Sequence, residues 1–204
     1  MSLKVTVIDA YDSFVHIIVG YINKLGCETR VFRKDHIDLL NELTPDKCDL
    51  IILGPGPGHP SESGYFSILE YVEDKIPVLG ICLGHQAIGM YFEAQIGYAE
   101  RLMHGKISLI NHDGNGCFSS FKGNSFKAMR YHSIIIEKKN FPKDLIITAT
   151  SDIDNYIMGI RHKFLPIEGI QFHPESVGTE NGLNIIQNFI KQYCLVEENK
   201  NEYV

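Results

Sequence analysis

Over the first 92 or so residues, short Val- and Ile-rich runs alternate with segments of helical period, and this restricts the fold more than any other feature. "KVTVIDA", "TRVF", "DLIIL" and "IPVLGI" are strand-length and read as buried parallel strands. Behind the first, Phe14, Ile17, Ile18, Tyr21, Ile22 and Leu25 keep the i, i+3, i+4, i+7 spacing of a core-facing helix; Ile186, Phe189, Ile190 and Tyr193 repeat it near the other end. Alternation of this kind predicts an α/β fold with a doubly wound, mostly parallel sheet, whose ligands bind beyond the carboxyl ends of the strands. From residue 95 to about 175 helical period is missing, and "KISLI", "FKAMRY", "SIIIE" and "LIITAT" read as strands separated by turn-type spacers such as "DGNG". A smaller antiparallel portion is expected there. One domain over residues 1–194 accounts for the pattern, and the polar ending, 195–204, reads as a tail or the start of a linker.

A chain of 204 residues buries about 70% of the surface its unfolded form exposes, enough to support a rigid site. The net charge of -6, with no basic run longer than Arg161-His162-Lys163, excludes an electrostatic footprint for nucleic acid. Asp9 and Asp12 interrupt the opening "MSLKVTVIDAYDS" where a signal peptide needs an unbroken apolar stretch. No apolar run reaches membrane-spanning length, so the expectation is a cytoplasmic protein with no membrane contact. Five scattered cysteines without CxxC spacing predict neither a disulfide framework nor a zinc site.

One of those cysteines stands in a pattern. "GICLGHQAIG", residues 80–89, places Cys82 between Gly80 and Gly84 where a strand gives way to a helix, the thiol counterpart of the serine nucleophile elbow. A helix amino terminus favours the thiolate, which is the attacking form, and the glycines leave room for neighbouring chain. Taken alone, the pattern fits a buried core cysteine equally well. A cysteine nucleophile also needs a base and an orienting group. "GIQFHPES" offers both: in extended chain His173 and Glu175 point to one side, with Pro174 stiffening the backbone between them. The plain alternative is a strand-end histidine beside a solvated carboxylate.

The loop "LGPGPGHPSESG", residues 53–64, follows a strand directly and is rigid enough to aim N–H groups at an oxyanion, although Gly-Pro alone also reads as a simple turn. It lacks the Lys-Ser/Thr ending of a phosphate loop. His85, one turn beyond Cys82, has no acidic or thiol partner at ligand spacing, so no metal site is expected. Asp9 and Asp12 either face the same crevice or cap the following helix, Asp12 being the natural cap before Phe14.

Together "GPGPGHPSESG", "GICLGHQAIG", "MHGKIS", "RYHSI" and "FHPES", in this order, resemble the class I glutamine amidotransferases over residues 4–193. Within that family "MHGK" and "RYHS" resemble the glutaminase subunit of anthranilate synthase, component II, and its relative in aminodeoxychorismate synthase. The resemblance implies a flavodoxin-like sheet and a triad of Cys82, His173 and Glu175. It further implies oxyanion donors at the Gly56 and Leu83 N–H groups, and glutamine held by Gly56, Pro57, Gly58, Gln86 and the backbone around Ser133 and Ile134. No cofactor is implied on this chain; a chorismate-binding synthase partner carrying Mg²⁺ is. His104-Gly105-Lys106 has no obvious part in thioester chemistry and is assigned to the partner interface, with a solvated turn as the alternative.

The sequence departs from the family pattern where Ala10 precedes Tyr11-Asp12-Ser13-Phe14 in place of Asn, and at Ile17 and Ile134. Two other readings compete. Peptidase-like and deglycase-like elbow proteins carry a histidine directly after the nucleophile, where this chain has Leu83. A non-enzymatic regulatory protein would not need the intact Cys82, His173 and Glu175.

Overall fold

A computed structural model describes residues 2–72 and 74–195, so the expected tail lies outside the described residues from 196 onward. Among the described residues nine strands form a single sheet: β1 (Lys4–Asp9), β2 (Glu28–Arg33), β3 (Leu50–Leu53), β4 (Val78–Ile81), β5 (Ile96–His112), β6 (Ser125–Ile136), β7 (Leu145–Ser151), β8 (Ile157–His162) and β9 (Ile167–Ile170). Their spatial order is β2-β1-β3-β4-β9-β8-β7-β5-β6. The first five in that order pair in parallel. The remaining pairings are antiparallel. The expected α/β class, with a mostly parallel sheet extended by an antiparallel portion, is therefore present.

The inner parallel strands β1, β3, β4 and β9 are buried on both faces, whereas the edge strand β2 is partly exposed, and successive side chains of the inner strands supply opposite layers. Val5, Val7, Leu50, Ile52, Leu79 and Ile81 pack against Val15, Ile18 and Ile22 of helix α1 (Val15–Lys24) and Ile185, Ile186 and Phe189 of α5 (Gly182–Tyr193). Ile8, Ile51, Leu53 and Val78 join Leu39 of the short α2 (Leu39–Glu42) on the other face, with α3 (Tyr65–Val72) and α4 (Leu83–Tyr91).

Three expectations need correction. "FKAMRY" and "SIIIE" are one continuous strand, β6. Neither β8 nor β9, the latter completing the parallel half, is among the expected strands. In α1 the buried stripe is Val15, Ile18 and Ile22, whereas Phe14 and Ile17 are 44% and 42% exposed. The helix begins one residue later than the periodicity implies: Phe14 is itself the N-cap, without a side-chain cap, and Asp12, the expected cap, instead accepts from the Phe14 N–H at 2.7 Å ahead of the helix.

The antiparallel portion buries an arginine. Arg130 of β6 is wholly enclosed, donating to the Asp154 carboxylate at 2.9 Å, to Ser108 Oγ at 3.0 Å and to His132 Nε2 at 3.0 Å. Asp154 is in turn held by the Ser151 hydroxyl. Since a guanidinium only donates, His132 must accept on Nε2 and carry its proton on Nδ1. Burial, with Arg130 adding repulsion, lowers the His132 pKa to about 3; burial alone does the same for His85, which packs against Gly169.

Both histidines are thus neutral in the folded chain and titrate near 6.5 when it unfolds. Between these values the unfolded state binds more protons, so their contribution to stability is whole above about pH 6.5 and is lost as the pH falls toward 3. Between pH 7.5 and 5.5 each of the two should subtract roughly 1 kcal/mol from the stability read by urea unfolding, while His173, whose folded pKa is raised, acts in the opposite sense; a His85→Asn variant should therefore lose roughly 1 kcal/mol less than the parent over the same interval. Equal sensitivity to acid in the variant would contradict this assignment.

Candidate active site

β4 runs straight into α4 with Cys82 at the junction. Its backbone sits at φ 52°, ψ -98°, a left-handed conformation that costs a non-glycine residue on the order of 1–3 kcal/mol and persists only where the surroundings enforce it. Close packing of the glycines does the enforcing. A Cβ on Gly80 would lie 2.5 Å from the Gly84 backbone, and one on Gly84 would lie 2.2 Å from the Leu53 carbonyl oxygen. The Cys82 N–H donates to Ile170 O at 2.9 Å, so the end of β9 anchors the elbow. Strand and helix can meet this tightly only without side chains at 80 and 84, which is what the G-x-C-x-G spacing supplies.

His173 and Glu175 follow β9 in a turn rather than in extended chain, yet their side chains meet. His173 Nδ1 lies 2.6 Å from Glu175 Oε1, with both residues buried. The His173 backbone is fixed at both ends, its N–H donating to Met129 O at 3.0 Å and its carbonyl accepting from Thr179 Oγ1 at 2.6 Å. Burial opposes the imidazolium, but the Cys82 sulfur and the Glu175 carboxylate outweigh it and hold the His173 pKa well above its usual range. With Nδ1 engaged by Glu175, Nε2 is the nitrogen left for the thiol. Asp12 is also near: half buried, it lies within electrostatic range of both His173 and Glu175, and burial raises its pKa.

Cys82 opens onto a cavity of about 320 Å³. Gly56, Pro57, Gly58, Gln86, Ser133 and Ile134, all expected substrate contacts, line it. Leu83 is buried as the first residue of α4, with its side chain close to Gly56. Gly56 itself has no room for a Cβ, which would sit 2.5 Å from that of Ala10, so the loop backbone rests directly on the end of β1. Gln86 Nε2 donates to Ile134 O at 3.0 Å, tying α4 to β6 across the cavity.

The sequence profile described as glutamine amidotransferase class-I matches residues 6–193. The chain belongs to this family. A relative from Methanocaldococcus jannaschii named anthranilate synthase component 2 is 49% identical over 198 residues, covering 92% of this chain and 96% of its own. One from Bacillus subtilis, named aminodeoxychorismate/anthranilate synthase component 2, is 44% identical over 192 residues, covering 93% and 96%. A Thermotoga maritima relative named bifunctional protein TrpGD is 48% identical over 190 residues, and these span 92% of this chain but only 32% of that longer protein. Among solved structures, a candidate GMP synthase component from Thermoplasma acidophilum superposes with a TM-score of 0.84 at 28% identity over 96% of each chain.

In this amidotransferase the cavity also takes in residues absent from the expected set: Met103, Tyr131 and His132. Tyr131 and His132 stand inside "RYHSI", and the signal for His132 is the period of two, which leaves Tyr131 on the opposite face with no such signal. Phe126, Ala128, Arg130 and His132 are buried at every second position of β6, so the polar pair shares the face of the apolar one. The Tyr131 ring stands edge-on to His173 at 5.2 Å between centroids and near His104 at 6.1 Å. His104 lines the cavity wall as well, while Gly105 and Lys106 are exposed beside it. Among the described residues no helix is long and apolar enough to cross a membrane.

Proposed function

We propose that this chain is the glutaminase subunit of a chorismate-using synthase, serving anthranilate formation on the route to tryptophan. The observation that carries the chemistry is the strained Cys82 at the start of α4, with the His173–Glu175 pair buried beside it. Cys82 attacks the side-chain amide of glutamine. His173 takes the thiol proton and returns it to the leaving amine, and Glu175 holds the imidazole in register. The Gly56 and Leu83 N–H groups receive the oxyanion. Gly56, Pro57, Gly58, Gln86 and the Ser133–Ile134 backbone hold the glutamine. Ammonia leaves with the first half-reaction, and water releases glutamate from the thioester on Cys82.

Free ammonia is mostly ammonium in neutral water and is then no nucleophile, which favours delivery to a partner bound directly. The relatives' name, component 2, supports a partner, and the exposed apolar Phe14, Ile17 and Val177 beside His173 and Glu175 offer it a surface. Any Mg²⁺ belongs to that chorismate-binding partner, and the pair would work in the cytoplasm. Feeding an aminodeoxychorismate synthase is the second reading, favoured by the double name of the Bacillus subtilis relative.

The two are distinguished by mixing purified chain with the large subunit of an anthranilate synthase or, separately, with that of an aminodeoxychorismate synthase. With the first, glutamine and chorismate should yield anthranilate at least roughly tenfold faster than either protein by itself. Product only with the second would transfer the assignment to the folate branch, and product with neither would overturn the synthase reading.

A further inference from the structure

Gln171, two residues before His173, is fully buried, and its amide nitrogen lies 3.6 Å from Cys82 Sγ. Its amide oxygen lies 3.2 Å from Gln86 Nε2. Neighbouring groups fix which end of each amide faces which partner. The Ile134 carbonyl can only accept, so Gln86 must turn its NH₂ toward it. The second hydrogen of that NH₂ needs an acceptor, which is Gln171 Oε1. Gln171 is left with its own NH₂ directed at the sulfur. Flipping it would set two NH₂ groups against each other and an oxygen lone pair against the sulfur. The hydrogen bonds thus run in one sense, from the cavity-wall carbonyl through two amides to the thiol.

We propose that Gln171 is a positioning residue for the nucleophile, aiming Cys82 Sγ into the cavity and donating a hydrogen bond to its thiolate, with Gln86 locking the amide in the orientation that donates. The inference rests on reading Cys82 as the nucleophile. β9 and the residue after it then grip position 82 twice, Ile170 through its carbonyl to the Cys82 N–H and Gln171 through its side chain to the sulfur. A bond from a neutral donor to a charged acceptor is stronger than one between neutral groups, so it favours the thiolate over the thiol. It also removes rotational freedom from a side chain that must meet a carbonyl carbon at a defined angle.

Gln171→Met has similar length and no donor. In the full chain, the rate of Cys82 alkylation by iodoacetamide, followed by peptide mapping against pH, should rise at a pH about one unit higher than in the parent. In glutaminase assays kcat should fall roughly tenfold while KM for glutamine stays within about twofold, because the bond is made to the nucleophile and not to substrate. If Gln171→Met does not fold, Gln171→Glu keeps the shape and still accepts from Gln86. Its ionised form places negative charge against the sulfur, and it should move the profile upward by at least as much. A folded variant whose alkylation profile superposes on the parent's overturns the inference, whatever its activity, since a merely structural glutamine would lower rates without moving that curve. Failure of the underlying reading looks different: parent Cys82 would then be alkylated no faster than Cys27 and Cys194, the two partly exposed thiols.

Discussion

Gly84→Ala should cost this protein both stability and catalysis, out of proportion to the single methyl group added. The new Cβ would lie 2.2 Å from the Leu53 carbonyl oxygen and 2.8 Å from its Cβ, and the oxygen belongs to a strand buried on both faces that cannot retreat. α4 must therefore move off β3, carrying Cys82 with it. Overpacking of this kind costs about 1–3 kcal/mol, and a displacement near 1 Å at the nucleophile costs about a hundredfold in rate. Gly20→Ala is the control. Gly20 lies within α1 with nothing inside 4 Å of an added Cβ, and alanine there should stabilise by up to about 1 kcal/mol without touching activity. Urea midpoints and glutaminase rates for both variants provide the check. If Gly84→Ala behaved like Gly20→Ala, the elbow would not be held by the close approach of backbone described above.

How far the site is legible in the sequence depends on whether its geometry is local. The elbow is written in five consecutive residues, because a left-handed cysteine between a strand and a helix needs glycine on either side. His173 and Glu175 are legible for a similar reason: two residues apart, they meet whether the chain is extended or, as here, turned. Gln171 is not. Its importance comes from Gln86, 85 positions away, and from Cys82, 89 positions away, which only the pairing of β4 with β9 brings together. Arg130 is hidden for another reason. Hydropathy sends an arginine to the surface, whereas the alternation along β6 sends it inward, and the Asp154 carboxylate that makes its burial tolerable arrives from beyond β7.

The same distinction explains the fold. The β2-β1-β3-β4 half follows from strand–helix alternation, each crossover being short and each strand's partner near in sequence. The fifth parallel strand, β9, comes after the whole antiparallel excursion, and "PIEG" carries a buried Glu168 that disguises it. That carboxylate is satisfied by Arg161, the Cys117 N–H and the Tyr193 hydroxyl, all remote in sequence except the first. The exposure of Phe14 and Ile17 goes with the later helix start, Phe14 standing as the N-cap and Val15, Ile18 and Ile22 forming the buried stripe, which periodicity does not register.

The most direct test of the central claim is Cys82→Ser in the reconstituted complex, with amination driven either by glutamine or by ammonium salt at a pH high enough to supply free ammonia. Serine nearly keeps the size of cysteine but offers a hydroxyl far harder to ionise, so the thioester route closes while the sheet stays packed. His173→Ala should behave similarly and Glu175→Ala less severely, because an orienting carboxylate is often worth less than the nucleophile or base. Glutamine-driven product formation by Cys82→Ser should fall by roughly a thousandfold or more, with the ammonia-driven rate unchanged, since the partner consumes ammonia and not glutamine. Undiminished glutamine-driven amination by that variant would contradict the account.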